Sequence, residues 1–269
     1  MFRLRGLMSS RSLLAEHEEQ SVGLLSVMEA RAEHQKVRHY QTFYTFTTSI
    51  GIGLNILVLF WILHFRGGFA WQSKPALEFN WHPFLMTLGM VFLYSQAMLT
   101  YRTGRKFEKK SLKLVHASLN CLAFIMSVIG LKAVFDSHNL TNNPNLYTLH
   151  SWIGLSTVIV FSAQFLGGFV SFLYPGLSQS FRKAILPVHV AFGTSCFIGA
   201  MLAAVSGLLE KAIWSLKDDY KEFTIEGVVV NLIGVFIALY GILVLYLVNH
   251  DDFKRTALTD DQIGLDRSD

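Results

Sequence analysis

Asn80-Trp81-His82-Pro83 opens an apolar run, and three later runs open in the same way, at Lys113-Leu114-Val115-His116, Leu149-His150-Ser151-Trp152 and Leu186-Pro187-Val188-His189. The steps between the four histidines are 34, 34 and 39 residues, about one membrane-crossing helix plus a short loop each. Chain direction reverses from one crossing to the next. His82 and His150 are therefore expected near one face of a bilayer, and His116 and His189 near the other. Two imidazoles at matched depth, repeated at a second level, is the arrangement needed to clamp two hemes.

The bulk numbers agree with a membrane location. The chain has 269 residues, 52% hydrophobic and only 16% charged, where a soluble domain carries about 25% charged residues. Six runs of about 20 apolar residues are long enough to cross the hydrocarbon core, at roughly 42–65, 81–101, 112–135, 148–173, 184–209 and 227–248. A backbone crossing lipid must satisfy its own hydrogen bonds, so each run reads as a helix. The expected fold is all-α: a six-transmembrane-helix bundle whose central four-helix core, spans two to five, holds two b hemes. Residues 1–39 read as a cytosolic N-terminal tail, 40–249 as the membrane domain and 250–269 as a cytosolic C-terminal tail. Leu24, Leu25, Val27 and Met28 leave the first tail open between a surface amphipathic helix and disorder. Pro83 and Pro187 are placed in or near first turns, where a missing N–H costs little.

The net charge of +4 is confined to loops and reports topology, not a nucleic-acid surface. Basic residues crowd the tail before span one, the 102–113 segment, Arg182 and Lys183, and Lys254, Arg255 and Arg267. The opposite loops are poorer in them, which puts both termini in the cytosol. Asn139-Leu140-Thr141, a glycosylation acceptor pattern, falls in a loop assigned to the lumenal side. No cleavable signal peptide is expected, because the first apolar run is too long for one. Cys121 and Cys196 lie within apolar spans and no Cys-x-x-Cys-His occurs, so heme would be held by side-chain ligation alone.

A single histidine at a helix end is more often a packing residue than a ligand; four in register carry more weight. Gly154 and Gly193 each follow a histidine by four, on the ligand's own helical face, where a missing side chain admits a porphyrin edge. Gly167 and Gly168 read as ordinary helix contacts. Bis-histidine ligation leaves no open iron position, so such hemes pass electrons and do not easily bind oxygen. Two of them, one near each face, divide a barrier of about 30 Å into shorter hops.

Leu77-Glu78-Phe79-Asn80-Trp81-His82-Pro83 and Tyr147-Thr148-Leu149-His150-Ser151-Trp152 resemble the signatures of the cytochrome b561 family. The likeness runs from about residue 64 to 226 and is nearest to the duodenal cytochrome b branch. It implies six helices, a homodimer, two non-covalent hemes b ligated by His82, His150, His116 and His189, and ascorbate as cytosolic electron donor. It further implies that Arg102 and Lys109 hold the propionates of the cytosolic heme, that Lys113 and Arg182 face ascorbate, and that Tyr101 adds a hydroxyl. Arg105, Lys106 and Lys110 read as topology signal only. On the lumenal side it places His138 at the substrate site with His64 as its partner, and Asn145, Thr148 and Glu210 beside the heme. Neutral imidazole and carboxylate suit a metal ion there.

The leading functional expectation is trans-membrane electron transfer from cytosolic ascorbate to a lumenal or extracellular acceptor, ferric iron first and monodehydroascorbate second. The competing class is a proton or metal-ion transporter using the histidines as a relay. That class would want a deep acidic residue or a pair of broken helices, and neither is evident. Plasma membrane and endosomal, lysosomal or secretory-vesicle membrane all remain open as the location.

Overall fold

The computed structural model describes residues 2–255, without the side chains of 2–20 and 30–32. Every regular element among them is helical, and six helices are long and apolar enough to cross a membrane. They are α1 (Phe2–Phe65), α2 (Pro75–Thr103), α3 (Lys109–Leu140), α4 (Leu149–Phe172), α5 (Gln179–Leu216) and α6 (Ile225–Asn249). The chain divides into two compact units, Met1–Phe43 and Tyr44–Asp269. The described part of the first, residues 2–43, left open between helix and disorder on sequence grounds, is helical; the chain has no proline before Pro75 to interrupt it. Arg267 lies outside the described residues.

Within the second unit α2 packs along α3 and α4 along α5, while α6 lies against α5 and α2. The six-helix expectation holds, with the four histidines on spans two to five, and the outer two helices share the apolar core. Leu54, Val58, Trp61 and Ile62 of α1 and Val230, Ile233, Ile237, Tyr240 and Val244 of α6 are all buried in it. Lipid tails are as apolar as leucine, so close packing and hydrogen bonds hold such a bundle more than apolar burial does. Gly51 shows the closeness: a Cβ there would sit 2.6 Å from the Tyr240 ring.

Helix ends explain where the boundaries fall. At the end of α1 the amides of Arg66 and Gly68 both reach the Ile62 carbonyl. Gly67 and Gly68 make that turn at φ +77° and +82°, which favours glycine. The Asn80 side chain donates to the carbonyls of Arg66 and Gly68, and Trp81 Nε1 to that of Ala70. Two residues of the first signature thus tie the 66–74 loop to the start of α2. Thr148 caps α4 through a reciprocal bond with Ser151, which sets His150 in the first turn.

Two expectations about boundaries are corrected. Ser178 accepts from the Phe181 amide and starts α5 at Gln179, so Pro187 is interior rather than in a first turn. On the other side of the bundle α3 runs to Leu140, which places His138 in its last turn rather than beyond it. Inside α2, residues Thr87–Leu93 form a π-helical stretch, a register slip that recurs at functional sites.

Candidate heme-binding sites and their two mouths

The four histidines meet in twos, as their depth pairing demands. The His82 and His150 rings lie 6.0 Å apart between centres, and those of His116 and His189 6.3 Å apart. An imidazole nitrogen binds a metal at about 2 Å, and the centre of the ring lies about 1 Å behind that nitrogen. A metal held between two such rings therefore separates their centres by about 6 Å, which is the spacing present at both levels.

The rings are also held in a ligand's orientation. His82 Nδ1 lies 3.2 Å from the Gly130 carbonyl, His116 Nδ1 2.8 Å from that of Ala97, and His150 Nδ1 2.8 Å from that of Ala203. A backbone carbonyl can only accept, so each Nδ1 carries the proton and donates it, leaving the Nε2 lone pair for a metal. The pattern is reciprocal: α2 and α3 hold each other's histidine, and α5 holds that of α4. The fourth ring, His189, is bounded by α4 instead. Its edge lies against Gly168, where a Cβ would come within 2.9 Å, and 5.3 Å from the Phe172 ring.

Gly168 was expected to serve only as a helix contact; its missing side chain makes room for His189. Gly207, not singled out from the sequence, does the same for His150, since a Cβ there would meet the ring at 2.5 Å. Gly154 lines the cavity around the first pair and has only Ala203 near it, at 3.8 Å. A Cβ on Gly193 would lie 3.6 Å from the Tyr94 hydroxyl. Gly154 thus leaves open the approach that a flat cofactor needs, whereas the face of Gly193 is met by Tyr94.

Between the two levels lies an aromatic layer. Buried Tyr94 donates to the Gly193 carbonyl at 2.7 Å, with the rings of Phe161 and Phe197 at 4.9 and 6.2 Å. It separates the two histidine couples with packed side chains.

The cavity around His82 and His150 is bordered by Thr87, Met90 and Val91 of the π-helical stretch and by Asn145, Thr148, Glu210 and His138. The residues expected beside this heme are thus brought together. His138 stacks on Phe79 at 6.3 Å. His64 does not join it: exposed on α1, it stacks on Phe60 at 5.3 Å and is absent from the cavity wall. Its place at the end of α1 is close in sequence terms only. Among the described residues no group of three or more His, Cys, Asp or Glu is placed to hold a metal ion.

At the other end Lys109, Lys113 and Arg182 line one groove together with Lys110 and Lys183. Because α3 begins at Lys109, Lys109 and Lys113 stand on the helix that carries His116. Lys113 Nζ donates to the Phe172 carbonyl at 3.0 Å, which joins the groove to the surroundings of His189. Tyr101 lies 5.8 Å from the His116 ring. Lys110, read as topology signal, belongs to the groove as well. Arg102 is placed differently from its expected propionate role. Its guanidinium donates to the carbonyls of Val248 and His250 at the end of α6, where terminal carbonyls lack helical partners. Arg105 and Arg255 make similar bonds to Asp252 and Phe107, so arginines stitch this end together while the groove is mostly lysine.

The family model described as "Eukaryotic cytochrome b561" matches residues 81–215, which include all four histidines. The chain belongs to the cytochrome b561 family. Among its curated relatives, the lysosomal membrane ascorbate-dependent ferrireductase CYB561A3 of Bos taurus is 41% identical over 212 residues, covering 77% of this chain and 80% of its own. The transmembrane ascorbate-dependent reductase CYB561 of Sus scrofa is 39% identical over 217 residues, 81% of this chain and 85% of that one. A putative transmembrane ascorbate-dependent reductase CYB561 homolog of Caenorhabditis elegans is 36% identical over 240 residues, 86% and 90% of the two chains. Membership makes b-type heme the cofactor class of the cytochrome b561 chain described above, and the imidazole spacing and carbonyl ties fit that group.

Proposed function

We propose that this protein is an ascorbate-dependent trans-membrane oxidoreductase that moves single electrons from cytosolic ascorbate to an acceptor on the lumenal or extracellular side, ferric iron first. The observation that carries the proposal is the pair of imidazole couples, 6.0 and 6.3 Å between ring centres, at two levels of one bundle. When bound, two hemes b supply one-electron carriers whose iron has no open position. The protein's own part is to fix the rings. Carbonyls of Ala97, Gly130 and Ala203 hold the Nδ1 protons, and Gly168 and Gly207 leave room for His189 and His150.

The lysine groove is assigned to ascorbate, a monoanion at neutral pH. Lys113 and Arg182 receive it and Lys109 serves the propionates of the nearer heme, with Tyr101 beside His116. By the charge asymmetry this end faces the cytosol and both termini lie there. At the other end His138, Asn145, Glu210 and Thr148, which also caps α4, border the path out. Ferric iron is preferred as acceptor because a relative at 41% identity is named a ferrireductase. The homodimer implied by the family likeness, and tails bounded at 39 and 250, are retained with this proposal.

The test is spectroscopic. Purified protein is expected to show a low-spin b-type spectrum that ascorbate reduces. His116→Ala is expected to lose the heme of the lysine end together with ascorbate reduction, while part of the other heme remains. A colourless protein that moves ions would instead establish the relay transporter, and loss of only the far heme would invert the topology.

A further inference from the structure

The mouth away from the lysine groove contains a cation that the electron path has not yet used. Lys211, in the closing turns of α5, is the one Lys or Arg among the described residues lining the cavity around His82 and His150. Its Nζ stands 4.0 Å from the centre of the Phe79 ring. Three other cations at this end are paired: Arg66 with Glu226 at 3.4 Å, Lys132 with Asp136, and Lys221 with Asp218 at 3.3 Å. No carboxylate among the described residues lies within ion-pair reach of Lys211. Glu226 is already shared between Arg66 and the Trp61 indole N–H at 3.0 Å.

An aromatic face attracts an ammonium without cancelling its charge. Lys211 is thus held in place and remains a source of positive potential in a cavity with mostly apolar walls, where field lines are focused. The same Phe79 ring stacks on His138 at 6.3 Å, so cation and imidazole are organised around one side chain. At the rim Tyr147 and Trp214 stack at 5.9 Å and are 58% and 42% exposed, leaving a flat surface open to the outside.

We propose that Lys211 is the receiving cation for an anionic electron acceptor at this mouth, a small oxyanion such as a carboxylate-chelated ferric ion or one-electron-oxidised ascorbate. The proposal rests on the outward electron path given above. One electron reaches the acceptor and makes it more anionic by one unit: Fe(III) becomes Fe(II) with its carboxylate ligands unchanged, or the ascorbyl radical anion becomes the enediolate, which takes its proton from water. The electron itself comes from ascorbate at the lysine groove. Lys211 forms no bond in the step. Its charge favours both the arriving anion and the more negative product.

The test uses full-length protein in liposomes loaded with ascorbate, and two outer-sphere oxidants of opposite charge, ferricyanide and hexaammineruthenium(III). In Lys211→Gln, kcat/KM for ferricyanide is expected to fall about 10-fold, within the range by which focused charge alters association. That for hexaammineruthenium(III) stays level or rises, and the salt dependence of the ferricyanide rate flattens. Lys211→Arg restores the ferricyanide rate, and Lys74→Gln, an exposed lysine at the same end, matches the parent. Ferric citrate and enzymatically generated monodehydroascorbate are run in parallel, and the one that loses rate along with ferricyanide is the source of the oxyanion. Equal losses with both oxidants would overturn the proposal. So would loss of heme absorbance from the His82–His150 couple, which would make Lys211 a cofactor anchor. A parent protein without ascorbate-reducible heme would defeat the electron path itself, a result distinguishable from either.

Discussion

Gly207→Ala is the most direct probe of how the histidines are held. The added methyl would lie 2.5 Å from His150 Cε1 and 2.7 Å from Nδ1, where ordinary contact is 3.4–4 Å. The ring must retreat by about 1 Å, and it cannot do so freely, because Nδ1 is tied at 2.8 Å to the Ala203 carbonyl one turn earlier on α5. Overpacking costs about 1–3 kcal/mol, and a lost hydrogen bond adds about 1 kcal/mol. The sum, about 2–4 kcal/mol, corresponds to a 30- to 1,000-fold weaker hold on heme at one level. The heme-to-protein ratio is expected to fall towards half, with one of two components missing from a potentiometric titration. Gly168→Ala should do the same at the His189 level with a smaller effect, since its closest approach is 2.9 Å. Gly167→Ala, with nothing within 4 Å, is the matched control. Full heme content with two unchanged components in a correctly folded Gly207→Ala protein would refute the account of His150.

Three further outcomes are expected. Lys113→Gln and Arg182→Gln should each raise the KM for ascorbate about 10-fold, the cost of a lost charge-assisted contact, with heme content unchanged; stopped-flow reduction of the hemes reads this directly. His138→Ala should lower ferric reduction much more than it lowers heme content, and unaltered ferric kinetics would remove His138 from the outer mouth. Glu78 is 0% exposed and neither carboxylate oxygen has a hydrogen-bond partner. Glu78→Met removes both unpartnered oxygens and should raise stability by about 1–3 kcal/mol, seen as a higher thermal midpoint; a lower one would show that the carboxyl group is needed.

The parts of this site that the sequence disclosed are those whose chemistry is confined to a residue type. Histidine in an apolar run is rare enough that four at matching offsets define two levels, and reversal of chain direction then pairs them. Lys109, Lys113 and Arg182 were legible for a similar reason, because helical spacing ties two of them to His116. What stayed hidden depends on neighbours in space. Any residue offers a carbonyl, so Ala97, Gly130 and Ala203 carry no mark in the sequence. Glycines abound in membrane helices, and nothing local separates Gly168 and Gly207 from Gly167. That His64 is exposed on α1 and off the cavity wall was hidden too, because nearness to a helix end says nothing of which way the side chain is turned. The bonds of Arg102 to the end of α6 were hidden as well, because a positive charge at a mouth looks the same whether it meets a ligand or the frayed carbonyls of another helix. The π-helical stretch at Thr87–Leu93 has no composition that announces it.

The main-chain tethers on three of the four imidazoles bear on how this molecule can diverge. A grip made by peptide oxygens asks for no particular side chain at positions 97, 130 and 203, so only the room there limits them: Ala97 is wholly buried, and a Cβ on Gly130 would already touch Leu85 and Met86. The constraint passes to places where bulk is forbidden. In a saturation library scored by colony colour, positions 168 and 207 should therefore reject every side chain, while 97, 130 and 203 accept the small ones.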